Sequence, residues 1–152
     1  MPGTAGAATG AALAGQADRM SAVYTAVGEP LGEAFQLRDD LLGVFGDPAV
    51  TGKPAGDDLR EGKATLLLAL TVQQAPSSAS SLLDRIGHAE LTDAEVAAVT
   101  ELAVTTGARD EVGRRIQAAV ERSRAALSSP ELRPAAVPGL LDLIEAAAWR
   151  DL

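Results

Sequence analysis

The sequence contains no cysteine, only one histidine and few aromatic residues, and each shortage narrows the chemistry that the chain can carry. Without cysteine there is no disulfide framework, no thiolate metal site and no cysteine nucleophile. A single histidine excludes a multi-histidine zinc site within one chain. Aromatic residues make up 3% of the chain against 47% for all hydrophobic residues. The core must therefore consist of alanine, leucine and valine, which suit closely packed helices.

Basic residues are also scarce, with 13 lysines and arginines against 21 acidic residues and a formal charge of −8. This balance argues against a general nucleic-acid binder, although a local lysine pair beside a metal can still hold a small anion. No apolar stretch reaches the ~18 residues that span a bilayer. The first ten residues lack the basic region of a signal peptide. We therefore predict a soluble, cytoplasmic protein with one domain over residues 1–152.

The spacing of apolar residues, glycines and prolines predicts an all-α fold. The small, glycine-dotted residues 1–15 are typical of a frayed or truncated helix. Gly28 to Pro30 predict a stop and restart, with the new helix running from Pro30 to Phe45. Residues 47–62 hold five glycines and prolines and predict an irregular loop. Further helices are expected at 64–74, at 80–87, from the Thr92 capping box to Gly107, at 109–127 and at 140–149.

The helix before the loop carries an aspartate pair on one side. Gln36, Asp39, Asp40 and Gly43 fall within a sector of about 100° on the helical wheel. The rest of the circumference is largely apolar, so the helix should be buried and the acidic stripe should face a cavity. Two neighbouring carboxylates resist such a position unless a cation joins them, and Mg²⁺ is the natural candidate. The alternative is a solvated face, or a pairing with Arg38.

The loop adds basic residues to this acidic stripe. Lys53 and Lys63 carry charges that suit phosphate oxygens, and the glycines between them allow the backbone to approach a ligand closely. Asp57 and Asp58 either extend the metal site or anchor the lysines. Acidic groups for Mg²⁺ beside basic groups for phosphate are what a diphosphate site needs. The alternative is a solvated linker without a ligand.

Two segments in this order resemble one known family. The run from Leu31 to Leu42, LGEAFQLRDDLL, is similar to the second aspartate-rich region of the trans-isoprenyl diphosphate synthases, or polyprenyl synthetases. The run from Gly52 to Thr65, GKPAGDDLREGKAT, is similar to the glycine- and lysine-containing stretch that follows it in that family. The resemblance covers nearly the whole chain, but only the C-terminal half of such an enzyme.

The resemblance implies a helical bundle of the isoprenoid synthase type and a Mg²⁺-dependent prenyltransferase of isoprenoid biosynthesis. The family condenses isopentenyl diphosphate head to tail with an allylic diphosphate. Mapped by motif, Asp39 and Asp40 would bind Mg²⁺, and Lys53 and Lys63 would contact the diphosphate. Gln36 would line the cavity beside the reacting carbons. The catalytic residues implied are thus Asp39, Asp40, Lys53 and Gln36.

The chain departs from the family pattern in two ways. The third aspartate of the second region falls on Gly43, and the sequence leaves open whether Asp47, Asp57 or Asp58 replaces it. The first aspartate-rich region is missing, because the only Asp-Asp pairs are at 39–40 and 57–58. We therefore expect a C-terminal portion truncated at the N-terminus, which would not catalyse alone. Neither the product chain length nor the origin of the truncation follows from these residues.

The absence of the first aspartate-rich region is also consistent with a function of a different class. The chain could be a non-catalytic helical partner subunit of a complete prenyl diphosphate synthase. The retained aspartates and lysines favour the prenyltransferase, because a scaffold does not need them. We expect the chain to form a homodimer or to dock on a complete synthase.

Overall fold

The computed structural model describes the backbone of residues 3–149 and the side chains of residues 15 and 17–148. Within this range the chain is all-α and has no strands, as predicted. Short 3₁₀ turns at Ser77–Ala79 and Pro134–Ala136 precede the fifth and last helices. The α-helices in chain order are α1 (Gly3–Phe45), α2 (Pro48–Thr51), α3 (Asp57–Glu61), α4 (Leu66–Gln74), α5 (Ser80–Leu83), α6 (Asp93–Thr105), α7 (Ala108–Ala126) and α8 (Val137–Trp149).

Helix α7 lies at the centre of the bundle and packs chiefly against α1, with α4, α6 and α8 around it. Its apolar residues recur with helical spacing along one face, and all members of this stripe are buried. Small and branched side chains allow this close packing of helices without large aromatic residues. The stripe consists of Val112, Ile116, Ala119, Val120 and, just beyond the helix, Leu127.

The predicted stop at Gly28 to Pro30 is wrong, because α1 continues through Pro30 to Phe45. A proline inside a helix removes the hydrogen bond to the carbonyl four residues earlier. That carbonyl belongs to Ala26, which is exposed, so water can satisfy it. The neighbouring carbonyl of Val27 accepts a hydrogen bond of 2.7 Å from the buried Ser123 hydroxyl of α7. Packing against α7 thus outweighs the local breaking signal.

The loop predicted for residues 47–62 is partly helical, which corrects the sequence-based expectation. Asp47 caps α2 by accepting a hydrogen bond of 2.9 Å from the backbone N–H of Ala49, and Pro48 occupies the first helical position. Helix α3 begins after Gly56 and ends before Gly62, and both glycines have a positive φ. The predicted helix at 80–87 is likewise shorter, because α5 ends at Leu83 and turns follow.

The capping box predicted at Thr92 is present and begins α6. The Thr92 hydroxyl accepts from the Glu95 N–H, and the Glu95 carboxylate accepts from the Thr92 N–H at 2.8 Å. Arg85 also donates to Glu95 at 3.0 Å. The backbone hydrogen bond from Thr92 and the bond from Arg85 lower the pKa of Glu95 from 4.5 to about 2. Ionised Glu95 therefore ties the turn before α6 to the helix.

The Glu95→Gln substitution should weaken the protein in a pH-dependent way. Because the pKa is lowered by folding, the stabilisation is complete above pH 4.5 and is lost as the pH falls toward about 2. The melting temperature of the variant should lie below that of the wild type near neutral pH, and this gap should narrow below about pH 4. Thermal melts across this range check it, with Glu101→Gln on the same helix as control. A constant gap would contradict the prediction.

Candidate functional site

A cavity of about 200 Å³ lies where the end of α1 meets the segment from α2 to α3. Three carboxylates and one lysine line it, so its wall carries an excess of negative charge. The glycines at 52 and 56 have φ of +69° and +71° and let the chain turn around the cavity. The lining residues are Asp39, Leu42, Gly43, Thr51, Lys53, Pro54, Asp57 and Asp58.

The two aspartates of α1 are neighbours in sequence but have different surroundings. The side chain of Asp39 is 61% exposed and faces the cavity, whereas that of Asp40 is 8% exposed. Gln36 is exposed and donates a hydrogen bond of 3.1 Å to Asp40 Oδ1. Gln36 is not among the residues that line this cavity, so its predicted place beside a substrate stays a prediction.

Lys63 joins the carboxylates of two helices. Its Nζ lies 3.4 Å from Asp39 Oδ2, 3.2 Å from Asp40 Oδ1 and 3.3 Å from Asp58 Oδ2. Partial burial alone would lower the pKa of Lys63, but the hydrogen bonds and charges of Asp40 and Asp58 raise it above its ordinary value. The ammonium stays charged and holds together three groups that would otherwise repel one another. Asp58 therefore anchors a lysine, one of the two roles foreseen from the sequence.

The remaining predicted residues divide between the cavity and other tasks. Lys53 is exposed and lines the cavity together with Asp57. Asp47, a candidate for the missing third aspartate, caps α2 with its carboxylate. The alternative pairing of the aspartates with Arg38 is wrong, since Arg38 is buried and its Nη1 reaches the Ala147 carbonyl of α8 at 3.4 Å. The predicted residues that come together at one place are therefore Asp39, Asp40, Lys53, Asp57, Asp58 and Lys63.

Arg60 is a supporting residue that the sequence analysis missed. Its guanidinium donates to the Ala55 carbonyl at 2.8 Å, to the Leu91 carbonyl at 3.2 Å and to Asp93 at 2.6 Å. These bonds fasten α3 to the start of α6 and fix the segment that carries Asp57 and Asp58. No short spacing signals this role, because Asp93 lies 33 residues after Arg60.

The donor set of the cavity fits a Mg²⁺ ion that shares its ligands with water and phosphate. Mg²⁺ is usually bound by one or two carboxylates and keeps several waters or substrate oxygens. Asp39 offers such a carboxylate at an accessible position, and the surplus of acid on the wall favours a cation. Within the described residues no three acidic or imidazole side chains are arranged to hold a metal alone.

The structure thus combines an all-α bundle with a site where an acidic helix faces a lysine-bearing loop. The family model for polyprenyl synthetase matches residues 4–103 of this chain. The chain belongs to the polyprenyl synthetase family. None of the helices in the described part of the chain has the length and apolar character needed to cross a membrane.

Individual relatives agree with this family. The chain is 39% identical over 140 residues to a geranylfarnesyl diphosphate synthase of Aeropyrum pernix, which covers 92% of this chain and 43% of the relative. It is 43% identical over 109 residues to a (2E,6E)-farnesyl diphosphate synthase of Mycobacterium tuberculosis, with shares of 69% and 30%. The chain thus spans less than half of the length of either relative.

The solved structure of a geranylgeranyl pyrophosphate synthase from Corynebacterium glutamicum has a similar fold. Its TM-score is 0.78 at 42% sequence identity, over 84% of this chain and 37% of that one. That structure was obtained in complex with isoprenyl diphosphate and magnesium. A polyprenyl synthase from Caulobacter crescentus, in complex with calcium and isoprenyl diphosphate, gives a TM-score of 0.73 at 33% identity. This similarity covers 87% of the present chain and 40% of the Caulobacter crescentus chain.

Proposed function

We propose that the chain provides one half of a prenyltransferase site, which binds the diphosphate of an allylic substrate through Mg²⁺. The observation that carries this proposal is the cavity shared by Asp39 and Lys53, with Lys63 fixed beside it. A carboxylate for a cation and a lysine for phosphate oxygens meet there on separate elements. The family and the similar structure in complex with isoprenyl diphosphate and magnesium support this assignment.

In the proposed reaction the allylic carbon–oxygen bond breaks, isopentenyl diphosphate adds to the allylic cation, and a proton is lost. Bound Mg²⁺ would supply the charge that stabilises the departing diphosphate. Asp39 and Lys53 both line the cavity, where the carboxylate would hold the cation and the lysine would bind phosphate oxygens. Lys63 would also contact the diphosphate. To do so, its ammonium must break its ion pair with one of the carboxylates.

The partner-subunit hypothesis has an observation of its own. Both Asp-Asp pairs of the sequence lie at this one site, so the chain offers no second aspartate-rich cluster to face it. We therefore propose that turnover requires opposing carboxylates from outside residues 1–152, and a complete synthase on which the chain docks would supply them. The cytoplasmic location stays a prediction from the sequence, which cell fractionation would check.

Calorimetric titration of geranyl diphosphate with and without Mg²⁺ tests the binding function. The wild-type chain should bind only with Mg²⁺, and Asp39→Asn should weaken the affinity by roughly 10–100-fold, because a charged contact contributes about 1.5–3 kcal/mol. Asp39 is exposed, so the variant should fold normally. Asp84→Asn, an exposed carboxylate after α5, is the control.

The same titration separates the proposals. Equal binding by Asp39→Asn and the wild type would overturn the role of Asp39. No binding under either condition, together with increased turnover when the chain is added to a complete synthase, would favour the partner subunit.

A further inference from the structure

Gly43 is the position on α1 where the family motif has its third aspartate, and here another residue fills the space. The carboxylate of Asp58, on α3, lies directly against Gly43. A Cβ atom at position 43 would overlap Asp58 Oδ2 and Cγ and would lie 2.9 Å from Oδ1. No side chain fits there while Asp58 keeps its position.

We propose that Gly43 and Asp58 form a matched pair, in which the absent side chain on α1 makes room for a carboxylate that α3 supplies. Asp58 is then the positioning residue for Lys63. This inference rests on the proposed function, because it assigns a task to a residue of the same site. It gives a physical reason for the departure of this chain from the family pattern at position 43.

The contacts of Asp58 suit positioning better than direct metal binding. Its side chain is 8% exposed, and its Oδ2 lies 3.3 Å from Lys63 Nζ. The Lys63 backbone N–H donates to the Asp58 carbonyl at 3.0 Å, so both ends of the lysine are fixed by one residue. Asp40, on the other side, is 3.2 Å from the same ammonium. The lysine is thus held between a carboxylate of α1 and one of α3.

This arrangement differs from a third aspartate on α1 in what it connects. A carboxylate at position 43 would belong to the same helix as Asp39 and Asp40. Asp58 instead links α1 to α3 across Gly43, and therefore fixes the segment that begins with Lys53 against the acidic helix. The distance between the lysines and Asp39 then depends on this contact.

A double-mutant cycle tests the pair through stability, without any ligand. Gly43→Ala should lower the melting temperature by roughly 5 °C or more, because the methyl group displaces Asp58. In an Asp58→Ala background the same substitution should instead be neutral or stabilising, since alanine is the better helix former. Gly32→Ala on α1 is the control, because nothing lies within 4 Å of its added Cβ. It should be neutral or stabilising in both backgrounds.

A second arm measures positioning. Asp58→Ala should weaken Mg²⁺-dependent binding of geranyl diphosphate, and Gly43→Asp/Asp58→Ala should not restore it, because a carboxylate on α1 does not link α1 to α3. Restored binding in the double variant would mean that the site needs only the charge of the carboxylate, and this result would overturn the positioning role of Asp58.

The two arms distinguish this inference from the function on which it rests. Additive effects of Gly43→Ala and Asp58→Ala on stability would overturn the matched pair even if the wild type binds geranyl diphosphate. A reversal of sign in the cycle supports the pair even if no ligand binds, and the proposed function alone then fails.

Discussion

Lys63→Ala is expected to destabilise the protein by roughly 2–4 kcal/mol, one of the two largest effects expected at the site. The substitution removes the cation between Asp40 and Asp58, which are both buried. Loss of one partner of a buried ion pair typically costs about 3–5 kcal/mol, and the partial exposure of Lys63 reduces this value. Urea denaturation followed by circular dichroism measures the difference.

The second lysine of the site separates the ion-pair effect of Lys63 from a general effect of removing a positive charge. Lys53→Ala is the matched control, because Lys53 is exposed on the same segment and should change stability by about 0.5 kcal/mol at most. Equal stability of the two variants would mean that Lys63 does not hold the carboxylates together.

Gly56→Ala should destabilise the protein at least as much, by about 2–5 kcal/mol, for two reasons that add. Gly56 has a φ of +71°, which costs an alanine roughly 1–2 kcal/mol. An added Cβ would also overlap Val96 Cγ1 of the core and lie 3.2 Å from Cγ2. Such overpacking of a core typically costs roughly a further 1–3 kcal/mol. Because Gly56 precedes α3, the substitution should also shift Asp57 and Asp58.

Gly52→Ala separates the two contributions to this effect. Gly52 has a similar φ of +69°, but nothing lies within 4 Å of an added Cβ. It should therefore show the backbone cost alone, roughly 1–2 kcal/mol. Melting curves of both variants measure the difference, which reports the contact with Val96. If the two variants melt at the same temperature, the packing of Gly56 against α6 is not as described.

The parts of the fold that sequence predicted well are those with local signals. The stripe on α7 recurs with helical spacing, so its burial follows from residues that are near in sequence. The capping box of Thr92 and Glu95 is likewise complete within four residues. Pro30 gave a local signal too, but packing of α1 on both sides of it against α7 determined the outcome.

The site was predicted less completely, because its geometry depends on distant residues. The motifs identified Asp39, Asp40, Lys53 and Lys63, but nothing local shows that one aspartate is exposed and the next buried. The contact of Asp58 with Gly43 joins residues fifteen positions apart. It depends on the conformation of the segment between them, which could not be predicted from the sequence. Arg60 donates hydrogen bonds to backbone carbonyl groups, which every residue has, so no residue type in the sequence marks these partners.

The proline in α1 also affects how that helix can unwind. Helix melting is cooperative because each turn is held by hydrogen bonds to the next, and Pro30 lacks one of them. Opening that begins at the amino end can therefore end at this turn, where the bond from Ser123 to Val27 holds the chain to α7. Pro30 is therefore a point at which the opening of α1 can stop. The segment with Asp39 and Asp40 can stay folded while the other exchanges its amide protons with water.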